Sequence, residues 1–267
     1  MSTPSISPTL AKKYKDSIDP LGWWLSEKLD GVRCILKNGH IFTRTGKPIQ
    51  APDSFLDGLP KGVVLDGELY GTRGNFDEIS GIVRKNIPVE AEWRSIRYMI
   101  FDVVDDELDY EARQALLHGI APSQSGCYEI VEQTLCEGRE HLDSTLARIE
   151  RCGGEGLMLR RPHSKYEFKR SASLLKLKSF RDLDARVVEH RAGKGRHEAR
   201  LGALVCELAD GKRFKCGSGF TDKQREHPPP VGTRVVVKYF EMTKNGVPRF
   251  PTFVGTRAEQ DAILRGT

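Results

Sequence analysis

Near residues 181–184 the chain changes texture, and that change limits what it can fold into more than any single motif does. Ahead of it, β-rich runs alternate with helix-spaced segments. VRCILKNGHIFTR (32–44) reads as two strands about Asn38-Gly39, since a two-residue hairpin loop needs positive φ at both positions. GVVLDGELYG (62–71) and RSIRYMIFDVV (94–104) are β-rich with apolar centres. YEARQALLHG and EHLDSTLARIERCGG have helical spacing and end on Gly119 and Gly153. GLMLRRP (156–162) and SLLKLKSF (173–180) return to strand.

Residues 1–181 are therefore expected to form an α+β domain with mostly antiparallel sheets. Residues 182–267 carry ARVVEHRAG, GALVCELADGKRFKCGSG with its Asp210-Gly211 turn, TRVVVKYFEM and RFPTFVG, interrupted by the helix-compatible TDKQREHP. Short strands with one helical insert predict a small Greek-key barrel, an OB-fold.

Charge follows the same division. Residues 1–181 hold 26 Lys and Arg against 26 Asp and Glu, whereas 182–267 hold 16 against 11. A neutral body with a basic end points to a polyanionic partner held by that end. With 38% hydrophobic and 30% charged residues the composition excludes a disordered or fibrous chain. No run approaches the roughly 18 apolar residues of a membrane span, and the first thirty residues lack the apolar core of a signal peptide. The expected location is cytoplasmic, or periplasmic for a chain whose signal has been removed. None of the six cysteines forms a CxxC pair, which argues against a structural zinc site or a disulfide framework.

The chemistry centres on SEKLDGVRC (26–34). Lys28 could be a charge beside an Asp-Gly turn, or a nucleophile. Four further stretches bear on the choice. LDGELYG places Asp66 and Glu68 on one strand face, where two carboxylates repel unless a cation or a hydroxyl-rich ligand lies between them. IFDVV sets Phe101 beside Asp102. GEGLMLR flanks Glu155 with glycines that let backbone approach a ligand. LLKLKSF puts Lys176 and Lys178 on one face, a like-charged pair suited to phosphate.

In this order the stretches resemble the motifs of the covalent nucleotidyltransferases: DNA ligases, RNA ligases and mRNA capping enzymes. The motifs read Lys28-Leu29-Asp30-Gly31-Val32-Arg33, Thr43-Arg44-Thr45-Gly46, Asp66-Gly67-Glu68, Phe101-Asp102, Glu155-Gly156 and Lys176-Leu177-Lys178. From about residue 20 to 257 the chain looks most like the minimal ATP-dependent DNA ligases of bacteria and viruses, notably in GWWLSEKLDGVR, FDEISGIVRK and RFPTFVGTR.

The resemblance implies a nucleotidyltransferase domain with ATP-grasp-like antiparallel sheets (1–181), followed by the OB-fold (182–267). It implies that Lys28 attacks the α-phosphate of ATP, and that the AMP then passes to a 5′-phosphate at a nick in duplex DNA and is displaced by the 3′-hydroxyl. An ordinary lysine, with a pKa of about 10.4, is only some 10⁻³ to 10⁻⁴ unprotonated at neutral pH, so the site must help. Nearby Asp30 and Glu155 would favour the ammonium; a divalent metal and basic residues around the phosphates would offset them.

By the same resemblance Lys176, Lys178 and Arg44 join the catalytic set. Ser26, Arg33, Glu68, Phe101 and Arg257 contact the nucleotide, with Phe101 on adenine and Glu68 on ribose. Glu155 and then Asp66 bind Mg²⁺, which Mn²⁺ can replace, and Arg33, Arg44 and Arg249 touch the nucleic acid. The Asp-Lys pair that often ends the family's barrel motif is missing after RFPTFVGTRAEQD, which leaves Arg249 and Arg257 as its candidates. The expected partner is nicked double-stranded DNA, held without sequence preference by a monomer that needs no membrane. Too little chain precedes Lys28 for an N-terminal DNA-binding domain. An RNA ligase or a GTP-dependent capping enzyme is the alternative.

Overall fold

The structure, a computed structural model, describes residues 7–120 and 126–265. Its contacts divide the chain into two compact units, with the division between Lys178 and Ser179.

The first unit contains two sheets. One has the order β1-β11-β10-β2-β9, built from β1 (Leu10–Lys13), β2 (Trp24–Glu27), β9 (Thr134–Leu135), β10 (Leu157–Arg160) and β11 (Arg170–Leu177). The other has the order β5-β4-β3-β6-β7-β8, from β3 (Val32–Lys37), β4 (His40–Thr43), β5 (Pro48–Ile49), β6 (Leu65–Tyr70), β7 (Arg97–Val103) and β8 (Tyr128–Ile130). The pairings are antiparallel except β1 with β11 and β7 with β8. The Asn38-Gly39 hairpin forms as expected: Lys37 pairs with His40, and the two turn residues have φ of 51° and 75°.

Helices α1 (Asp53–Asp57), α2 (Phe76–Val83), α3 (Glu90–Trp93), α4 (Tyr110–Ile120) and α5 (Arg139–Arg151) cover these sheets. Ile79, Ile82 and Val83 of α2 are buried in a core with Leu36, Leu65 and Leu69 of the six-stranded sheet. Leu142 and Ile149 of α5 pack with Leu25, Leu157 and Leu175 of the other. In α2 the buried Ile79, Ile82 and Val83, and in α5 the buried Leu142, Thr145 and Ile149, are spaced three or four apart where one face of a helix meets a sheet. Strand β1 was not anticipated, because LAKK has no apolar alternation; its partner β11 and a register shift between Ala11 and Lys12 define it.

The second unit is an antiparallel sheet of order β14-β13-β12-β15-β16, made of β12 (Arg181–Ala192), β13 (Leu201–Glu207), β14 (Arg213–Cys216), β15 (Arg234–Tyr239) and β16 (Thr252–Thr256). The long β12 pairs with both β13 and β15, and register shifts at Val187/Glu189 and Arg191/Ala192 curve it, as bulges do at barrel corners. A bridge between Ser218 and Thr252 links the two ends of the sheet. Val187, Leu204, Val235, Val237 and Phe253 fill the interior. Helix α6 (Asp222–Glu226) lies within TDKQREHP and is capped by Thr221, while α7 (Arg257–Leu264) adds a helix not read from the sequence. No disulfide links any of the six cysteines.

Candidate active site

A cleft of about 270 Å³ in the first unit is lined from both of its sheets. Seven of the residues singled out in the sequence face it: Ser26, Lys28, Arg33, Arg44, Glu68, Phe101 and Lys176. They are up to 150 positions apart in the chain and converge because the strands bearing them are neighbours.

Lys28 follows β2, and its backbone N–H donates to Gly156 O at 2.9 Å. Gly156 has φ of 144°, and a Cβ there would lie 2.2 Å from Leu177 O, so only glycine allows this approach. The backbone bond holds the preceding residue, Glu155, against Lys28, whose Nζ donates to Glu155 Oε2. Lys178 Nζ pairs with the other oxygen, Glu155 Oε1. A carboxylate side chain only 6% exposed is therefore shared by two lysines, each 22% exposed.

Beside this triad the charge is positive. Burial holds the Lys176 amine below its ordinary pKa, and the cations Lys28, Arg170 and Arg44 lower it further. Like charges so close favour an anion among them, and phosphate fits that description. Arg170, at the start of β11, lines the cleft and donates to Ala11 O. It was not singled out in the sequence.

Asp66 corrects the sequence reading. Arg33 Nε and Nη2 donate to its two oxygens at 2.9 and 2.6 Å, and the Tyr166 hydroxyl donates to Oδ2 at 2.6 Å. The aspartate is fully buried, so it is not open to a metal ion. The cation that two carboxylates on one face require is the protein's own Arg33. Its guanidinium also lies 5.4 Å from the centre of the Phe101 ring. In the β6–β7 pairing Asp66 opposes Asp102 and Gly67 opposes Ile100, so Phe101 is the extra residue of a bulge. Bulges re-aim side chains in this way beside functional sites.

Glu68 accepts from the Gly31 N–H at 3.2 Å. Burial raises its pKa to about 7, against the opposing pull of Lys28 and Arg33.

The floor of the cleft is a second charge cluster. Asp102, fully buried, accepts from Arg113 Nε and Nη2 at 2.7 and 3.1 Å and from Arg160 Nη2 at 2.9 Å. Arg160 and Tyr110 line the cleft but escaped the sequence reading; the available signal was Arg160's position two residues beyond Met158 on the same strand. Another group with metal-ligand chemistry, Asp109, Glu111 and His163, is already engaged: Asp109 caps α4 and Glu111 accepts from Trp24 Nε1.

Arg249 and Arg257 belong to the second unit. Arg249 pairs with Glu241. Arg257 donates through Nε to Asp184 at 2.8 Å, a hydrogen bond that raises its pKa further.

Residues 8–178 match the family described as the ATP dependent DNA ligase domain, and residues 192–257 match the DNA ligase OB-like domain. A DNA ligase of Haemophilus influenzae is 40% identical over 233 residues, which cover 87% of this chain and 85% of that protein. A DNA ligase of Cenarchaeum symbiosum is 27% identical over 82% of this chain and 44% of its own length, so this chain spans less than half of that relative. Among solved structures, a Lig E DNA ligase superposes with a TM-score of 0.88 at 35% identity, covering 94% of this chain and 99% of that one. Chlorella virus DNA ligase-adenylate gives a TM-score of 0.56 at 27% identity over 95% and 98% of the two chains. The chain belongs to the ATP-dependent DNA ligases.

Proposed function

We propose that the protein seals 5′-phosphate/3′-hydroxyl nicks in duplex DNA through a lysyl-AMP and a DNA-adenylate, with Lys28 as the nucleophile. The observation that carries this reading is Glu155 shared by Lys28 and Lys178 at the edge of a cleft that also gathers Arg33, Arg44, Arg170 and Lys176.

In the first step Lys28 Nζ bonds to the α-phosphorus as the bond to pyrophosphate breaks. Nζ must shed its protons to do so, and Glu155 Oε2 is the acceptor in contact with it. Lys178 keeps the other oxygen of that carboxylate in place. Lys176 and Lys178 face the α-phosphate and stabilise the charge that builds on it and on the leaving group. Phe101 stacks on the base, Ser26 contacts it, and Glu68 accepts from a ribose hydroxyl. Arg33, held rigid by Asp66, and Arg44, exposed at the rim, contact ribose or the nick 5′-phosphate, where a planar guanidinium suits paired phosphate oxygens.

A single carboxylate beside phosphate-holding lysines fits a hard, largely hydrated ion, so Glu155 is the residue that would hold Mg²⁺, or Mn²⁺ in its place. When bound, such an ion supplies neutralisation of the phosphate charge.

The partner is nicked double-stranded DNA, bound by a monomer. The basic second unit and its phosphate contacts, Arg249 among them, make that grip sequence-independent and salt-sensitive. Arg257 is the candidate for orienting pyrophosphate from the barrel. No helix among the described residues is long and apolar enough to cross a membrane, and a cytoplasmic enzyme fits this.

The test is incubation with ATP labelled at the α-phosphate, in parallel with labelled GTP. Acid-labile label from ATP should appear on the protein, discharge on nicked DNA and seal the strand. Labelling by GTP in its place, or undiminished labelling of Lys28→Ala, would overturn the reading.

A further inference from the structure

Phe101, the residue assigned to stacking on the base, is the extra residue of a bulge and stands outside the ladder register of β6 and β7. Its ring is therefore aimed by the two peptides on either side of its Cα. The first is fixed by the Val131 N–H, which donates to Ile100 O at 2.8 Å. The second is fixed from α4, where Gln114 Nε2 donates to Phe101 O at 3.0 Å. Helix α4 cannot slide freely along β7. Arg113, next to Gln114, grips the Asp102 carboxylate at 2.7 and 3.1 Å, so two adjacent helix residues hold two adjacent strand residues. Arg113 is anchored in turn to the carbonyls of Leu108 and Ser164.

Packing alone does not explain a glutamine at this place. Its Oε1 is buried with no hydrogen-bond partner among the described residues. A buried acceptor left unpaired costs at least as much as one neutral hydrogen bond contributes, so the amide as a whole adds little or nothing to stability. Methionine is unbranched and of similar length, and it would remove that penalty. The bond to Phe101 O is thus the one contact of the amide that an apolar side chain could not make, and it falls on the backbone of a residue that lines the cleft. A local rule broken without a gain in stability is the mark of a functional position.

Resting on the reading of Phe101 as the residue that stacks on the base, we infer that Gln114 is a positioning residue: by holding the Phe101 carbonyl it turns the bulge so that the ring faces the cleft in the orientation that stacking requires. Stacking depends on the mutual orientation of the rings. A ring released from that hold weakens nucleotide binding and leaves the phosphate chemistry at Lys28 intact.

The experiment measures the rate of lysine labelling of the full chain against ATP concentration, beside a urea titration of each variant. Gln114→Met should raise the ATP concentration for half-maximal rate about threefold to tenfold, the range set by loss of one hydrogen bond, and leave the maximal rate within about twofold. Its urea midpoint should equal or exceed that of the unaltered protein. In a Phe101→Leu background, where no ring remains to be aimed, Gln114→Met should raise the ATP requirement no further. A merely structural glutamine would lower the urea midpoint and act alike in both backgrounds. An unchanged ATP requirement, or an equal rise with and without the ring, overturns the inference and leaves the reading of the cleft standing. Should Gln114→Met fail to fold, Gln114→Asn, whose amide falls one methylene short of the carbonyl, takes its place with the same two outcomes. Phe101→Leu needing no more ATP than the unaltered protein would overturn the stacking assignment and this inference with it.

Discussion

Two carboxylates in the first unit are each clasped by two basic side chains, and the kind of base differs with depth. At the edge of the cleft Glu155 lies between Lys28 and Lys178, both 22% exposed. At the floor Asp102 lies between Arg113 and Arg160, which are 0% and 5% exposed. Lysine is a point charge on a flexible stem that can release its proton, whereas arginine stays charged and binds a carboxylate through a planar fork. The edge therefore holds charge that chemistry must free, and the floor holds charge that must stay. Depth and residue type together separate reactive ion pairs from architectural ones.

The largest expected effect tests the reactive half of that contrast. Lys28→Arg keeps a cation beside Glu155 but removes an amine able to become neutral. Labelling from ATP should fall at least about a thousandfold while the fold is retained, because a guanidinium does not deprotonate in proteins. Intact-mass spectra of the protein after exposure to ATP, with circular dichroism as the control for folding, check it. An adenylyl adduct formed at the normal rate would remove the distinction between the two clusters.

Next comes the architectural half. Asp102→Asn leaves two guanidiniums without their shared counter-charge in a buried site, and should destabilise the protein by about 3–5 kcal/mol in urea unfolding. Glu155→Gln should cost only about 1 kcal/mol or less, since Lys28 and Lys178 can turn toward water, yet it should abolish labelling. Equal stability losses in the two variants would show that depth does not separate the clusters.

These residues also show how far sequence alone reaches. The Asn38-Gly39 hairpin was legible because a two-residue turn is a local constraint. Lys28, Glu155 and Lys178 were legible as motif members, and the structure joins them in one ion-paired group. Helix α7 was missed although Thr256 and Glu259 form a capping box, a signal carried by only two residues. Arg160 was missed although it closes the GEGLMLR stretch on the same strand as Met158, and Arg170 was missed because no motif covers it. Arg160's partner Asp102 is 58 positions away, and a basic residue on a strand reads as a solvated face until that partner is placed. Asp66 was read as open to a metal because strand alternation reports which face a side chain takes and says nothing of a neighbour reaching it diagonally, as Arg33 does.

Between edge and floor, Glu68 supplies a graded test. Its pKa rises from an ordinary carboxylate value to about 7 in the folded protein, mainly through burial. The folded state thus binds the proton more tightly than the unfolded state does. The stability this contributes is complete below about pH 4.3 and is lost as pH rises through 7. Relative to Glu68→Gln, which does not titrate, the unaltered protein should lose on the order of 2 kcal/mol between pH 4.5 and 7.5 in denaturant titrations. A difference that stays constant over this range would place the carboxylate in contact with water and shorten the buried part of the cleft.

The smallest effect isolates depth from geometry. Arg73 grips Glu27 as Arg113 grips Asp102: Nε and Nη2 donate to the two oxygens at 2.8 and 2.7 Å, close to the 2.7 and 3.1 Å found at the floor. The pairs differ in exposure, with side chains 40% and 22% exposed at Arg73 and Glu27 against full burial of Arg113 and Asp102. Water screens the exposed pair and solvates either partner once the other is removed, so Arg73→Ala should cost about 0.5 kcal/mol or less. Added salt should shrink even that difference. Urea titrations of this variant beside Asp102→Asn hold the fork constant while burial changes. A loss at Arg73 as large as that at Asp102 would mean that fork geometry alone sets the strength of these pairs, leaving the contrast between edge and floor to the choice of lysine or arginine.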